Sequence, residues 1–164
     1  MAFSIQNLDR SHDLKGFNCG SAALNAWLQN TAGQHQKKGI SRTYVLVADE
    51  SLGIVIGYYS LAIRGMTPIE SLPQPMKKSL PLSAPAVTIA RLAVSLKQQK
   101  QGHGERLLLD AMTRVKSAAN LIGGSFLFVD AKDVVLAEFY ARYGFIALPD
   151  DPLTLCMRIS DIPE

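Results

Sequence analysis

The stretch with the clearest capacity for chemistry is a turn, Gln99-Lys100-Gln101-Gly102-His103-Gly104-Glu105. It follows a β-branched, mostly apolar run from Val87 to Val94. It precedes a segment with Leu108, Ala111, Met112, Val115 and Ala119 at helical spacing. A strand, a glycine-rich turn and a helix in that order make a site for anions. The first amides of the helix have no intrahelical acceptor, and the helix dipole adds partial positive charge there. Gly102 and Gly104 carry no Cβ, so a phosphate can come close to the backbone. Two familiar phosphate loops do not fit. An NTPase loop ends in Gly-Lys-Ser/Thr, whereas this turn ends Gly104-Glu105-Arg106. The dinucleotide fingerprint needs a third glycine where Leu107 stands.

Composition excludes several classes. The 164 residues suffice for one domain with one core. At 48% hydrophobic and 19% charged, the chain is of ordinary globular type rather than disordered. No apolar run reaches the roughly 18–20 residues of a membrane span. The N-terminus lacks a basic segment followed by an apolar one, which argues against a secretory signal. Cys19 and Cys156 form no metal or redox spacing, and nothing assigns His12, His35 or His103 to a metal, so no metal is expected. A reducing cytoplasm is the expected location. Net charge is +3, and every Lys and Arg except Arg158 precedes position 150. The body is moderately basic with an acidic tail, which permits a polyanionic partner.

The elements that must position the turn read as follows. Phe3 to Asp9 is a first strand. Ser21 caps a helix expected to run to about His35, with Leu24, Trp27, Leu28 and Thr31 on one face and Gly39 after its end. Thr43–Ala48 and Ile54–Ile63 form a hairpin around a turn at 49–53. Residues 65–85, with five prolines, read as a long loop with at most one short helix, beside a cleft. After the central strand, turn and helix, Gly123-Gly124 closes the helix and Ser125–Val129 is a buried strand ending at Asp130. A helix over Lys132–Tyr143 stops at Gly144. Phe145–Ala147 and Thr154–Ile159 are closing strands. The order is that of a mixed α/β domain around one sheet.

Gln99, Gly102 and Gly104 match Gln/Arg-x-x-Gly-x-Gly/Ala, the pyrophosphate loop of the GNAT N-acetyltransferases. Phe139-Tyr140-Ala141-Arg142-Tyr143-Gly144-Phe145 resembles the Phe-Tyr-x-x-x-Gly-Phe segment of the same family, in the right order after a strand. The likeness extends to Phe17-x-Cys19-Gly20, Trp27-Leu28, Arg42-Thr43-Tyr44-Val45, Gly57–Ala62 and Ala90–Val94. These stretches resemble one branch, the acetyltransferase toxins of bacterial toxin–antitoxin pairs that act on aminoacyl-tRNA. The lead-in Pro81–Val87 is less proline-dense than is usual there.

The resemblance implies a single GNAT domain over residues 1–164. Its central, mostly antiparallel sheet of six to seven strands would be split by a coenzyme wedge and flanked by helices. Acetyl-CoA would lie against Leu92, Ala93 and Val94, its diphosphate on Gln99, Lys100, Gln101, Gly102, His103, Gly104 and Glu105, with Asp130 and Tyr143 also in contact. Tyr140 would give a proton to the leaving thiolate, a task suited to a phenol that stays protonated at neutral pH. Glu50, Glu70, Asp130 and Glu138 are open candidates for a base. The amine of an aminoacyl ester is less basic than that of lysine, so water can also serve. Lys37, Lys38, Arg42, Lys77, Lys78, Arg91 and Arg142 are candidates for tRNA phosphates. The branch further implies a ribbon-helix-helix antitoxin, operator DNA bound only through that antitoxin, and a possible homodimer. Two other readings stay open at this point: an acetyltransferase for a small amine or protein N-terminus, and a non-catalytic acyl-CoA-binding module.

Overall fold

The computed structural model describes residues 2–50, 53–78 and 80–164. Its elements are β1 (Phe3–Asn7), α1 (Ala22–Asn30), α2 (Ala32–Lys37), β2 (Arg42–Ala48), β3 (Val55–Pro68), β4 (Ser83–Val94), α3 (His103–Ile122), β5 (Phe126–Asp130), α4 (Val134–Ala141), β6 (Ile146–Leu148) and β7 (Asp151–Arg158). Among the described residues the strands form a seven-stranded sheet in the order β1-β2-β3-β4-β5-β7-β6. β4 and β5 pair in parallel; β1 with β2, β2 with β3, β5 with β7 and β6 with β7 are antiparallel. The mixed α/β expectation holds. The chain divides into two compact units, Met1–Ala62 with Ala90–Ala111 and Ile63–Ile89 with Met112–Glu164. No helix is long and apolar enough to cross a membrane.

In the first unit, α1 begins where Ser21 Oγ accepts the Leu24 N–H at 3.3 Å. Its apolar face, Trp27 and Leu28, joins Phe17, Val45, Val47, Val55 and Tyr58 in a buried cluster. The Tyr58 ring stacks on Trp27 and meets Phe17 edge-on, and its hydroxyl donates to Leu24 O at 2.8 Å. The single helix expected from Ser21 to His35 is instead two. Thr31 leaves helical geometry at φ −122°, and a second helix restarts with its carbonyl accepting the His35 N–H. Threonine is a weak helix former with an intrinsic preference for caps, so the break falls where propensity is poor. Where β2 meets β3, Leu46 opposes Gly57 and Val47 opposes Val55, which leaves Ile56 as an extra, bulged residue. Gly57 suits this place: a Cβ would lie 3.0 Å from Leu107 Cδ1 and 3.2 Å from Ala93 O, tight enough that a neighbour would have to shift. The missing side chain lets α3 settle against the strand.

In the second unit, β5 is buried along Phe126–Val129 and pairs with β4 from Ala86↔Phe126 to Ile89↔Val129. Asp133 caps α4 through the Leu136 N–H at 2.9 Å. The loop expected over 65–85 is largely structure. β3 continues to Pro68, β4 starts at Ser83, and 3-10 turns form at Ile69–Ser71 and Gln74–Met76. Leu72 (0% exposed) and Met76 pack into a cluster with Phe126, Phe128 and Cys156. The prolines fix φ and shape the turns, while the apolar residues between them supply the burial. Ser51 and Leu52, in the middle of the turn expected at 49–53, lie outside the described residues.

If the proline-rich segment is core, Leu72→Ala will destabilise the protein by about 2–5 kcal/mol in urea unfolding, as buried leucines do. A surface loop would show a change within about 0.5 kcal/mol.

Candidate active site

The turn after β4 is built as its sequence implies. Ser95 leads into a 3-10 turn at Leu96–Gln98, and α3 starts at His103. Lys100 has φ +64° and Gly102 has φ +82°. Left-handed residues in such a turn direct successive N–H groups into one concavity. The Arg106 N–H donates to Gly102 O at 3.1 Å as the helix begins. The amides before it therefore have no acceptor within the helix. A Cβ at Gly102 would meet nothing within 4 Å, so glycine serves the backbone angle and the approach of a ligand rather than protein packing. Gln99 explains its own place in the motif: its Nε2 donates to Val94 O at 2.9 Å and Cys19 O at 3.3 Å, tying the turn to the strand.

His103 does more than contribute an amide. Its ring is buried, meets Phe3 edge-on with centroids 4.7 Å apart, and neither nitrogen has a partner. Burial, and then the Arg106 charge, push its pKa below the ordinary value. It is a neutral packing group that seats the start of α3 on β1.

The second unit holds Tyr140, on α4 and 5% exposed, between Phe139 and Phe145. Burial, and then the charge of Asp130, push its pKa up to about 12. The comparison with other buried tyrosines is informative. Tyr58 donates to Leu24 O, and Tyr59 donates to Asp110 Oδ2 at 2.6 Å. Among the described residues nothing accepts from the Tyr140 hydroxyl. Its proton is held on the phenol and has no structural use.

The other expected residues fall in separate places. Lys37 and Arg42 line a groove of about 640 Å³ with Arg10, over a floor that includes Leu8 and Leu28. Arg91 lies flat on Trp27, 4.0 Å from the ring centroid, so one face of its guanidinium is taken by packing. Arg142 reaches over Phe139 at 5.7 Å, and Tyr143 packs on the same ring. In the second unit Lys78 borders a smaller hollow with Arg158 and Ser125. Leu92 and Val94 are half-buried and Ala93 buried near the end of β4. Sequence reasoning missed Arg64, Thr154 and Asp151, which surround Asp130 in the second unit. No local pattern marks them, because they lie on β3 and β7 and meet only through the fold.

The first unit offers an amide-rich turn before a long helix, a shape suited to a phosphate-bearing ligand, and the second offers a buried phenol that keeps its proton. The chain belongs to the GNAT acetyltransferase family: the family described as "Acetyltransferase (GNAT) domain" matches residues 18–154. It is accordingly an acetyl-CoA-dependent acetyltransferase. It is 31% identical over 156 residues to the tRNA-acetylating toxin of Mycobacterium tuberculosis, spanning 95% of this chain and 92% of that one. Its fold matches AtaT complexed with acetyl-methionyl-tRNAfMet with a TM-score of 0.90 and 32% identity, over 98% of this chain and 97% of that chain. It also matches a tyrosine-to-phenylalanine variant of AtaT bound to the C-terminus of the antitoxin AtaR and acetyl-CoA. There the TM-score is 0.83 and the identity 30%, over 98% and 95% of the two chains.

A side chain at position 102 would strain the left-handed backbone, and would crowd a diphosphate received by this turn. Gly102→Ala is expected to weaken acetyl-CoA binding about tenfold or more by calorimetry. Unchanged affinity would remove this turn from the coenzyme site.

Proposed function

We propose that this chain is the toxin of a toxin–antitoxin pair, and that it moves an acetyl group from acetyl-CoA to the free amine of aminoacyl-tRNA, which stops translation. The observation that carries the catalytic part is the Tyr140 hydroxyl, whose proton is held by burial and which has no acceptor among the described residues. The acceptor is supported by likeness over nearly the full chain to a tRNA-acetylating toxin and to AtaT with its acetylated tRNA.

In this reading Leu92, Ala93 and Val94 offer backbone groups to the pantetheine arm, as a neighbouring strand would. The parallel ladder with β5 stops at Ile89, while β4 runs on to Val94. The backbone from Gln99 to Glu105 receives the diphosphate, with Lys100 adding charge and Gln99 holding the turn in shape. Tyr143 belongs to the same coenzyme contacts. Tyr140 protonates the departing sulfur, so that the leaving group is a thiol rather than a thiolate. Lys37 and Arg42, with Arg10, supply a basic groove for tRNA phosphates; Lys38, Lys77, Lys78, Arg91 and Arg142 are further candidates. A ribbon-helix-helix antitoxin would neutralise the toxin and carry the pair to operator DNA, and the chain would act in the cytoplasm, with a homodimer as the oligomer to test.

Two expected outcomes test this. The purified protein will transfer labelled acetyl to aminoacyl-tRNA and none to deacylated tRNA. Tyr140→Phe will lower kcat by about 10²–10⁴ while leaving acetyl-CoA affinity within about twofold. A Phe variant of full activity would return Tyr140 to the core. In addition, replacing Lys37 and Arg42 by alanine will reduce the slope of log K for tRNA against log salt by about 0.7–0.9 per charge removed. An unchanged slope would clear that groove of phosphate contacts.

A further inference from the structure

Asp130 ends β5, and its neighbours come from three other elements. Thr154 Oγ1 of β7 lies 2.9 Å from Asp130 Oδ1 and 2.7 Å from Asp151 Oδ2. A hydroxyl has one proton, so it can donate to only one of these carboxylates at a time. Arg64 of β3 reaches Asp130 Oδ2 at 3.6 Å, with its guanidinium 4.2 Å over the Phe128 ring. The hydrogen bonds from Thr154 and the Leu153 N–H hold Asp151 below the usual carboxylate range, so it is charged. From α4, Tyr140 feels the Asp130 charge.

Two carboxylates thus share one hydroxyl, and Arg64 pairs with Asp130 while acting on Asp151 only through its charge. The group carries one negative charge beyond what Arg64 neutralises. The Asp130 side chain is 56% exposed, so that charge is open to a ligand rather than sealed in the core. A phosphate would be repelled here, and a cation attracted. This surplus negative charge lies in the same unit as Tyr140 and acts on its hydroxyl electrostatically.

We propose that Asp130 is the acceptor-amine subsite: its carboxylate, positioned by Arg64 and Thr154, holds the α-ammonium of the incoming aminoacyl ester and takes the first proton from it. This rests on the reading of the acceptor given above, and it moves Asp130 from the coenzyme side to the acceptor side. The protons balance as follows. The ammonium gives one proton to Asp130, and its nitrogen lone pair then forms the C–N bond to the thioester carbonyl. The C–S bond breaks, its electron pair stays on sulfur, and sulfur takes the Tyr140 proton. The attacking nitrogen, still carrying one proton too many, returns that proton to the Tyr140 phenolate through water. Asp130 releases its proton to solvent, leaving the amide, the free thiol and one proton in solution.

The test is the pH dependence of kcat/KM for aminoacyl-tRNA in Asp130→Asn. An ordinary α-amine has a pKa of about 7.7–8.0, so it arrives mostly charged at pH 6.5 and mostly neutral at pH 8.5. A charge-assisted contact predicts a loss of about tenfold or more at pH 6.5, shrinking to about threefold or less at pH 8.5. Acetyl-CoA affinity by calorimetry stays unchanged. Arg64→Met, which leaves the carboxylate in place but unrestrained, shows the same pH pattern at smaller amplitude. An equal loss at both pH values, no loss at all, or weakened acetyl-CoA binding would overturn the assignment. If the unaltered protein transfers nothing to aminoacyl-tRNA, the acceptor reading fails and this subsite falls with it. Activity in the unaltered protein without the pH pattern in the variants refutes the subsite alone.

Discussion

The hydroxyl of a buried tyrosine commonly finds a protein acceptor, as those of Tyr58 and Tyr59 do. Tyr140 is held between Phe139 and Phe145, and among the described residues nothing accepts from its hydroxyl. Its surroundings also oppose loss of the proton, through burial and through the nearby Asp130 charge. Both conditions leave a neutral donor that is spent on nothing structural. The catalytic reading depends on this constraint. A thiolate leaving group in a site of low polarity needs a proton at the moment the C–S bond breaks, and a phenol that resists ionisation can still supply one as the sulfur gains charge.

Each unit carries its own supports. In the first unit, glycines at two special places do different jobs. Gly57 lets α3 pack against β3, and Gly102 allows the backbone angle from which α3 starts. His103 fixes the same helix start by packing on Phe3, and Gln99 stitches the turn to β4. The backbone of the turn is thus placed by the side chains of Gln99 and His103. In the second unit, Asp133 starts α4, and the cluster of Leu72, Met76, Phe126, Phe128 and Cys156 anchors the strand that ends in Asp130. Burial in that cluster raises the Cys156 thiol to about 11, so it behaves as an apolar filler.

The parts that could be read from sequence were those carried by local pattern. The Gln99–Glu105 turn and the Phe139–Phe145 segment are short, contiguous and chemically constrained. Strand alternation and the long apolar stripe of α3 are equally local. What escaped depends on distant contacts. The helix break at Thr31 is a balance of weak propensities that neighbouring packing decides. The proline-rich segment reads as a loop by composition, yet Leu72 and Met76 belong to the core. Arg64 meets Asp130 only because β3 extends beyond its expected end and brings the guanidinium over Phe128. The unpaired state of the Tyr140 hydroxyl is likewise a property of the folded chain and has no signature in the residues beside it.

The most direct measurement of the central claim replaces Tyr140 with fluorotyrosines of graded acidity and follows kcat for acetyl transfer across pH. If this phenol protonates the leaving sulfur, the alkaline limb of each profile will move down in pH by the amount that fluorination lowers the phenol pKa. Superimposable profiles across the series would contradict the account.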